Sequence, residues 1–194
     1  MFQKLDFEIF QIINNIANNY ETLDMISKLT GGDYLIPIIC YLSLIFIWFS
    51  NTDCRLRRDN HRLVLKSLFH MAFTSAFILL INQFLWRDRP FDSYDVNLLF
   101  YMPTDSSFPS NSAAGLMSLT LPLIMHKPKI GLVFLLLTLL LGISRIFIGV
   151  HYPFDIVGGY LLSFSLIPVS FFVFNILKPY IERFLNVLKL LGVS

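Results

Sequence analysis

Five stretches of this chain are too long and too apolar for surface helices or ordinary strands. They are residues 34–50, 63–86, 109–125, 130–150 and 154–177. About 20 mostly apolar residues, within a range near 17–25, are needed to carry a helix across the hydrocarbon core of a bilayer. Composition agrees: 55% of the 194 residues are hydrophobic and only 14% are charged, where a soluble domain carries about a quarter. The predicted fold class is therefore all-α, a polytopic transmembrane helix bundle of about five spans plus interfacial helices, with residues 1–194 forming one membrane-embedded domain. Lys66 opens the second span and can snorkel to its edge.

The flanks read as interfacial. In residues 5–17, Leu5, Ile9, Ile12, Ile13 and Ile16 recur at helical spacing with Asn and Gln opposite, which predicts a helix lying along the membrane surface. Residues 180–191 repeat that style, with Arg183 and Lys189 among apolar positions. The N-terminus interrupts its apolar residues with Gln3, Lys4 and Asp6, so no signal peptide is expected. Cys40 and Cys54 read as free thiols. The net charge of +2 lacks a basic, aromatic-interleaved patch, so no nucleic-acid partner is expected.

Basic residues orient the spans. Arg55, Arg57, Arg58 and Arg62 lie between the first and second spans, Lys127 and Lys129 between the third and fourth, and Lys178, Arg183 and Lys189 in the tail. Alternating spans put all three segments on one side, which the positive-inside rule makes cytoplasmic. The acidic N-terminal stretch, residues 86–108 and the link around His151 then face outward.

Three short segments meet at that outer end. The first runs Arg87-Asp88-Arg89-Pro90-Phe91 and the second Ser107-Phe108-Pro109-Ser110-Asn111-Ser112. The third is Ser144-Arg145, followed by His151 and Asp155. Guanidinium groups suit phosphoryl oxygens, because they bind in bidentate fashion and keep their charge. Arg89 and Arg145 fill that role, with Arg87 a weaker third. The unpaired N–H groups that open the helix after Pro109 make an anion cradle, and Ser110, Ser144 and Asn111 add polar donors. A neutral His151 can attack phosphorus, and Asp155 can accept from its other ring nitrogen and stabilise the imidazolium that forms. That chemistry passes through a phosphohistidine, and no metal or other cofactor is expected. Asp88, Asp92, Asp95 and Asp105 read as solvated loop residues, and His61, His70 and His126 as non-catalytic.

The set resembles the type 2 phosphatidic acid phosphatase superfamily. Its third motif, Ser-Arg, five residues, His, three residues, Asp, is met in full by Ser144, Arg145, His151 and Asp155. Arg89-Pro90 meets the end of the first motif, and Pro109-Ser110 the start of the second. In loop spacing and Phe-Pro-Ser context the chain is similar to the bacitracin-resistance type of bacterial undecaprenyl-diphosphate phosphatase. The resemblance implies a multi-pass enzyme of the bacterial cell membrane whose partners are the bilayer and a lipid diphosphate. Two positions depart from the pattern. Asn82 stands where the first motif often begins with Lys, and Ser112 stands where the second motif carries the histidine that protonates the leaving oxygen. Two rival readings therefore stand beside the first: a phosphatase of phosphatidic acid or phosphatidylglycerol phosphate, and a catalytically impaired lipid-phosphate binder.

Overall fold

A computed structural model describes residues 2–190, and all of its regular elements are helices. The surface segment at the N-terminus forms α1 (Phe2–Asn14), followed by α2 (Glu21–Gly31), which hydropathy alone does not announce. The expected spans follow as α3 (Leu35–Phe49), α4 (Cys54–Asn82), α6 (Asn111–His126), α7 (Pro128–Phe147) and α8 (Pro153–Leu190). A single turn, α5 (Pro90–Ser93), interrupts the long outer loop.

Among the described residues, α4, α7 and α8 are each long and apolar enough to cross a membrane. The helices α2 and α3, bent by 48° at their junction, qualify together as a fourth crossing. With 16 residues, α6 rises only about 24 Å. It packs against α4, α7 and α8 and is the most enclosed helix of the bundle. Its buried hydroxyls find partners on those neighbours: Ser118 donates to Thr74 at 2.9 Å and lies 2.8 Å from Ser163, and Thr120 lies 3.0 Å from Thr138. Small hydroxyl residues are favoured between membrane helices for this reason, since lipid offers no alternative partner. The apolar core is built by Ile36, Cys40 and Leu44 of α3 with Leu119, Leu123, Phe134 and Leu141.

Two boundaries differ from expectation. The basic segment 55–62 is not a loop, because α4 begins at Cys54. Asp53 caps it, accepting from the backbone N–H groups of Arg55 at 2.8 Å and Leu56 at 3.3 Å. The last span and the C-terminal surface segment are also one helix, α8, which continues through Pro168 and Pro179. Proline removes a helical hydrogen bond, but tertiary contacts hold this helix together beyond it. Glu182 receives Arg58 at 2.9 Å and Arg62 at 2.7 Å from α4, and Leu185 is buried. The last residue of the expected tail segment, Leu191, lies outside the described residues.

The three basic segments do share one end of the bundle. Arg62 of α4, Lys127 of the α6–α7 turn and Lys178 of α8 line the same cavity there. The Arg89, Ser110, Arg145 and His151 segments meet at the other.

Candidate active site

The link 148–152 reverses the chain between α7 and α8. Its turn is closed by Gly149 N–H to the Ile146 carbonyl at 3.1 Å and Val150 N–H to the Arg145 carbonyl at 3.2 Å. Gly149 has φ +87°, and a Cβ there would lie 2.9 Å from the Asn97 carbonyl oxygen. Only glycine fits both the left-handed backbone and the close approach. This turn brings His151 to the same end of the bundle as Arg145, which is in the last turn of α7.

The His151 ring is buried and held at both nitrogens. Nδ1 lies 3.0 Å from the Ser107 carbonyl oxygen, and Nε2 lies 3.3 Å from Nη1 of Arg89. A carbonyl can only accept, so Nδ1 carries the proton. A guanidinium can only donate, so Nε2 presents its lone pair. The neutral ring is thus fixed in the tautomer that a nucleophilic Nε2 requires. Asp155 does not meet the ring through the direct hydrogen bond expected of it. Its Oδ2 is 3.6 Å from Nδ1, too long for a hydrogen bond. That oxygen instead accepts from Ser107 Oγ at 2.5 Å and from Tyr152 N–H at 2.9 Å. Asp155 thereby pins the loop whose carbonyl orients the ring, and it keeps a negative charge close to any imidazolium. Ser107, which the motif spacing does not single out, is the link between the two.

Burial, joined by the nearby cations Arg89 and Arg145, outweighs the opposing Asp155 carboxylate and pushes the His151 imidazole down to about 4. In the unfolded chain the ring titrates near 6.5. As pH falls from about 6.5 the unfolded chain takes up a proton that the folded one refuses, so His151 withdraws stability until its own midpoint near 4 is passed. A histidine-selective NMR titration, with the signal assigned by its loss in His151→Asn, should show a midpoint well below 6. A midpoint near 6.5 would contradict the buried, cation-flanked ring.

Arg89 is buried and multiply held. Nη1 donates to the Val150 carbonyl at 2.8 Å, Nη2 to Asp105 Oδ1 at 2.7 Å, and Nε to the Asp105 carbonyl at 3.1 Å. Asp105 is therefore not a merely solvated loop residue, as its sequence context suggested. Asp92 likewise accepts from the Arg89 N–H at 3.0 Å. Arg145 pairs with Asp33, in the break between α2 and α3, and Asp33 also accepts from Tyr101 Oη at 2.7 Å. Each of these two arginines thus holds one carboxylate, an anion of the kind that a phosphoryl group would displace. Arg145 Nε and Ser110 Oγ are buried without a hydrogen-bond partner among the described residues. Ser110 precedes the first turn of α6, and its N–H donates to the Asp155 carbonyl at 3.1 Å. A Cβ at Gly159 would sit 2.7 Å from the Ser110 carbonyl, so α8 can approach this corner only with glycine there.

The remaining candidates are placed differently. Ser144 Oγ lies 2.7 Å from Thr30 Oγ1 and joins α7 to α2. Asn111 is exposed, and Ser112 is half-buried. Both line a cavity of about 300 Å³ together with Asp33, Gly115 and Arg145. Asn82, at the end of α4, leaves its buried Oδ1 without a partner among the described residues. Arg87 lies over the Tyr152 ring, 4.1 Å from its centroid, and bridges two buried carboxylates, Asp155 at 2.5 Å and Asp6 at 2.6 Å. Asp6 also accepts the Phe154 N–H at 2.9 Å. So α1 is more than a surface helix, because it supplies a buried carboxylate to the network behind His151. An aspartate on a polar helix face carries no sequence signal for this.

Removing one partner from such a buried cluster costs about 3–5 kcal/mol, because the other charges stay buried and unpaired. Arg87→Gln, which strands Asp6 and Asp155, should lower the unfolding midpoint accordingly. Arg183→Gln, on the exposed face of α8, should leave it unchanged. Equal midpoints for the two variants would show that the cluster does not hold the end of the bundle together. Among the described residues no three His, Cys, Asp or Glu side chains group as a metal site would.

With this geometry the family match takes on physical meaning. Residues 63–179 match the PAP2 superfamily, the type 2 phosphatidic acid phosphatases. The chain belongs to that superfamily. It is 30% identical over 185 residues to the undecaprenyl-diphosphatase BcrC of Bacillus subtilis (strain 168), covering 92% of this chain and 89% of that protein. It is 25% identical to the putative undecaprenyl-diphosphatase YbjG of Escherichia coli (strain K12), covering 83% of this chain and 78% of that one. Among solved structures, Aquifex aeolicus LpxE superposes with a TM-score of 0.66 at 25% identity, over 86% of this chain and 94% of that one. The PAP2-type phosphatidylglycerolphosphate phosphatase of Bacillus subtilis gives 0.60 at 21% identity, over 94% and 89%, a likeness of fold.

Proposed function

We propose that this multi-pass membrane phosphatase removes the terminal phosphate of undecaprenyl diphosphate on the extracytoplasmic face of a bacterial cell membrane, recycling the lipid carrier of cell-wall synthesis. The observation that carries the chemistry is the 3.3 Å approach of the Arg89 guanidinium to the lone-pair nitrogen of His151. It sets a phosphate-binding cation beside a nucleophile. In this reading Nε2 attacks the terminal phosphorus in line, the bridging oxygen departs with undecaprenyl phosphate, and water then hydrolyses the phosphohistidine. Arg89 and Arg145 exchange Asp105 and Asp33 for phosphoryl oxygens, and the orphaned Ser110 Oγ gains a partner. The preorganised cations stabilise charge as it builds on those oxygens. Asp155, close to Nδ1, stabilises the imidazolium.

Support for a diphosphate substrate comes from Ser112. With no histidine to protonate the leaving oxygen, a leaving group that is already a stable anion is the better fit, and a phosphate monoester meets that need where an alkoxide does not. The positive-inside distribution supports the facing, since the basic end of the bundle is opposite His151. Phosphate release by the purified chain from undecaprenyl diphosphate and from phosphatidylglycerol phosphate separates the readings. We expect kcat/KM at least about tenfold higher on the diphosphate, a barrier difference of ~1.4 kcal/mol. Equal or higher activity on phosphatidylglycerol phosphate would reject the substrate assignment.

A further inference from the structure

The end of the bundle opposite His151 contains a cavity of about 520 Å³, between α4, the α6–α7 turn and the C-terminal half of α8. Three lysines from three separate elements line it: Lys66, Lys127 and Lys178. The two carboxylates on its wall are already engaged. Glu182 binds Arg58 and Arg62, and Asp59 binds Arg62 at 3.1 Å. None of the three lysines has a carboxylate within ion-pair distance among the described residues. Lys66 is the most informative. It lies inside a membrane-crossing helix, one turn beyond Arg62, and its Nζ rests 3.7 Å from the centroid of the Phe171 ring. An ammonium on a membrane-crossing helix that has no ion pair among the described residues is available to an anion at the helix's basic end. Apolar side chains, Leu63, Phe174 and Ile181, share the wall with uncharged polar ones such as Asn60 and Asn175.

We propose that this cavity binds the phosphate of an anionic phospholipid headgroup from the basic-side leaflet, with the acyl chains passing along Phe174 and Ile181. The occupant's chemistry follows from the wall. Three lysines on one cavity wall ask for a phosphate, and the apolar part of that wall adds affinity for a lipid and none for a free ion. Bound there, the headgroup ties α4, the α6–α7 turn and α8 together at the end that the active site does not brace. The site is independent of the substrate assigned above.

The experiment measures thermal unfolding of the full chain in neutral detergent, with added phosphatidylglycerol, phosphatidylcholine or inorganic phosphate. Phosphatidylglycerol at a hundredfold excess over its Kd should raise the midpoint by roughly 5 °C or more, and the other two should not. Lys127→Gln with Lys178→Gln, at positions outside the packed core, should abolish most of that shift and leave the midpoint in phosphatidylcholine and the phosphatase activity unchanged. Lys66→Gln should abolish it further, and Lys66→Arg should keep it. If the double variant proves unstable, native mass spectrometry of the unaltered chain in an equimolar mixture of the two lipids decides, with preferential retention of phosphatidylglycerol expected. No phosphatidylglycerol shift, a shift that survives the lysine substitutions, an equal shift with inorganic phosphate, or equal retention of the two lipids would each overturn the proposal.

Discussion

His151→Asn should abolish phosphate release, with kcat falling by on the order of 10⁴-fold or more, while phosphate binding at the site survives. A lost nucleophile removes the reaction path itself, whereas a lost phosphate contact removes only part of its stabilisation. Asparagine is the substitution of choice because its amide can still donate to the Ser107 carbonyl that now accepts from Nδ1. The loop and the Asp155 network behind it then stay in place, and a loss of rate reports chemistry. The companion measurement is a rapid quench with substrate labelled in its terminal phosphate. The parent chain should retain an acid-labile, alkali-stable phosphoryl label, as a phosphohistidine does, and His151→Asn should retain none. Activity surviving the substitution, or a label equally present in both chains, would remove His151 from its assigned role.

How the site is wired was only partly legible beforehand, and particular residues explain the division. Arg145, His151 and Asp155 stood out because they keep a fixed motif spacing along one turn and one helix start. Apolar runs were readable because lipid demands length and hydrophobicity together. Partners contributed by distant segments were not. Asp6 is 81 residues from Arg87 and Asp33 is 112 from Arg145, and neither sits in a motif, because any carboxylate that the fold delivers will serve. Ser107 was quoted within a motif segment but had no role until its carbonyl and hydroxyl were seen to face His151 and Asp155. The helix α2 was missed for another reason. At 11 residues it is too short for a span, and its buried positions are Asp24, Ser27, Thr30 and Gly31, a polar and small face packed against α7 that an apolar-run search passes over. The continuous α8 was obscured by Pro179, whose helix-breaking signal is local, while the ion pairs of Glu182 with α4 that override it are not.

The second large effect concerns the position where superfamily chemistry is altered. Ser112→His should accelerate hydrolysis of a lipid monophosphate by about 10²-fold or more and that of undecaprenyl diphosphate by less than about tenfold. General acid catalysis is worth 10²–10⁴ in rate, or roughly 3–5 kcal/mol, and it is worth most where the leaving oxygen would otherwise depart as an alkoxide. A departing phosphate monoester is already a stable anion near neutral pH, so the proton matters less. The site has room for the change. Ser112 is half-buried on the wall of the 300 Å³ cavity it shares with Arg145 and Asp33, and at neighbouring Gly115 the nearest atom to an added Cβ would be 3.9 Å away. The gain on the monophosphate should also fall away as pH rises past the new histidine's pKa, because only its protonated form can donate. Equal gains on both substrates, or a gain insensitive to pH, would mean that Ser112 does not stand on the leaving-group side, and the preference for a diphosphate would lose its physical basis.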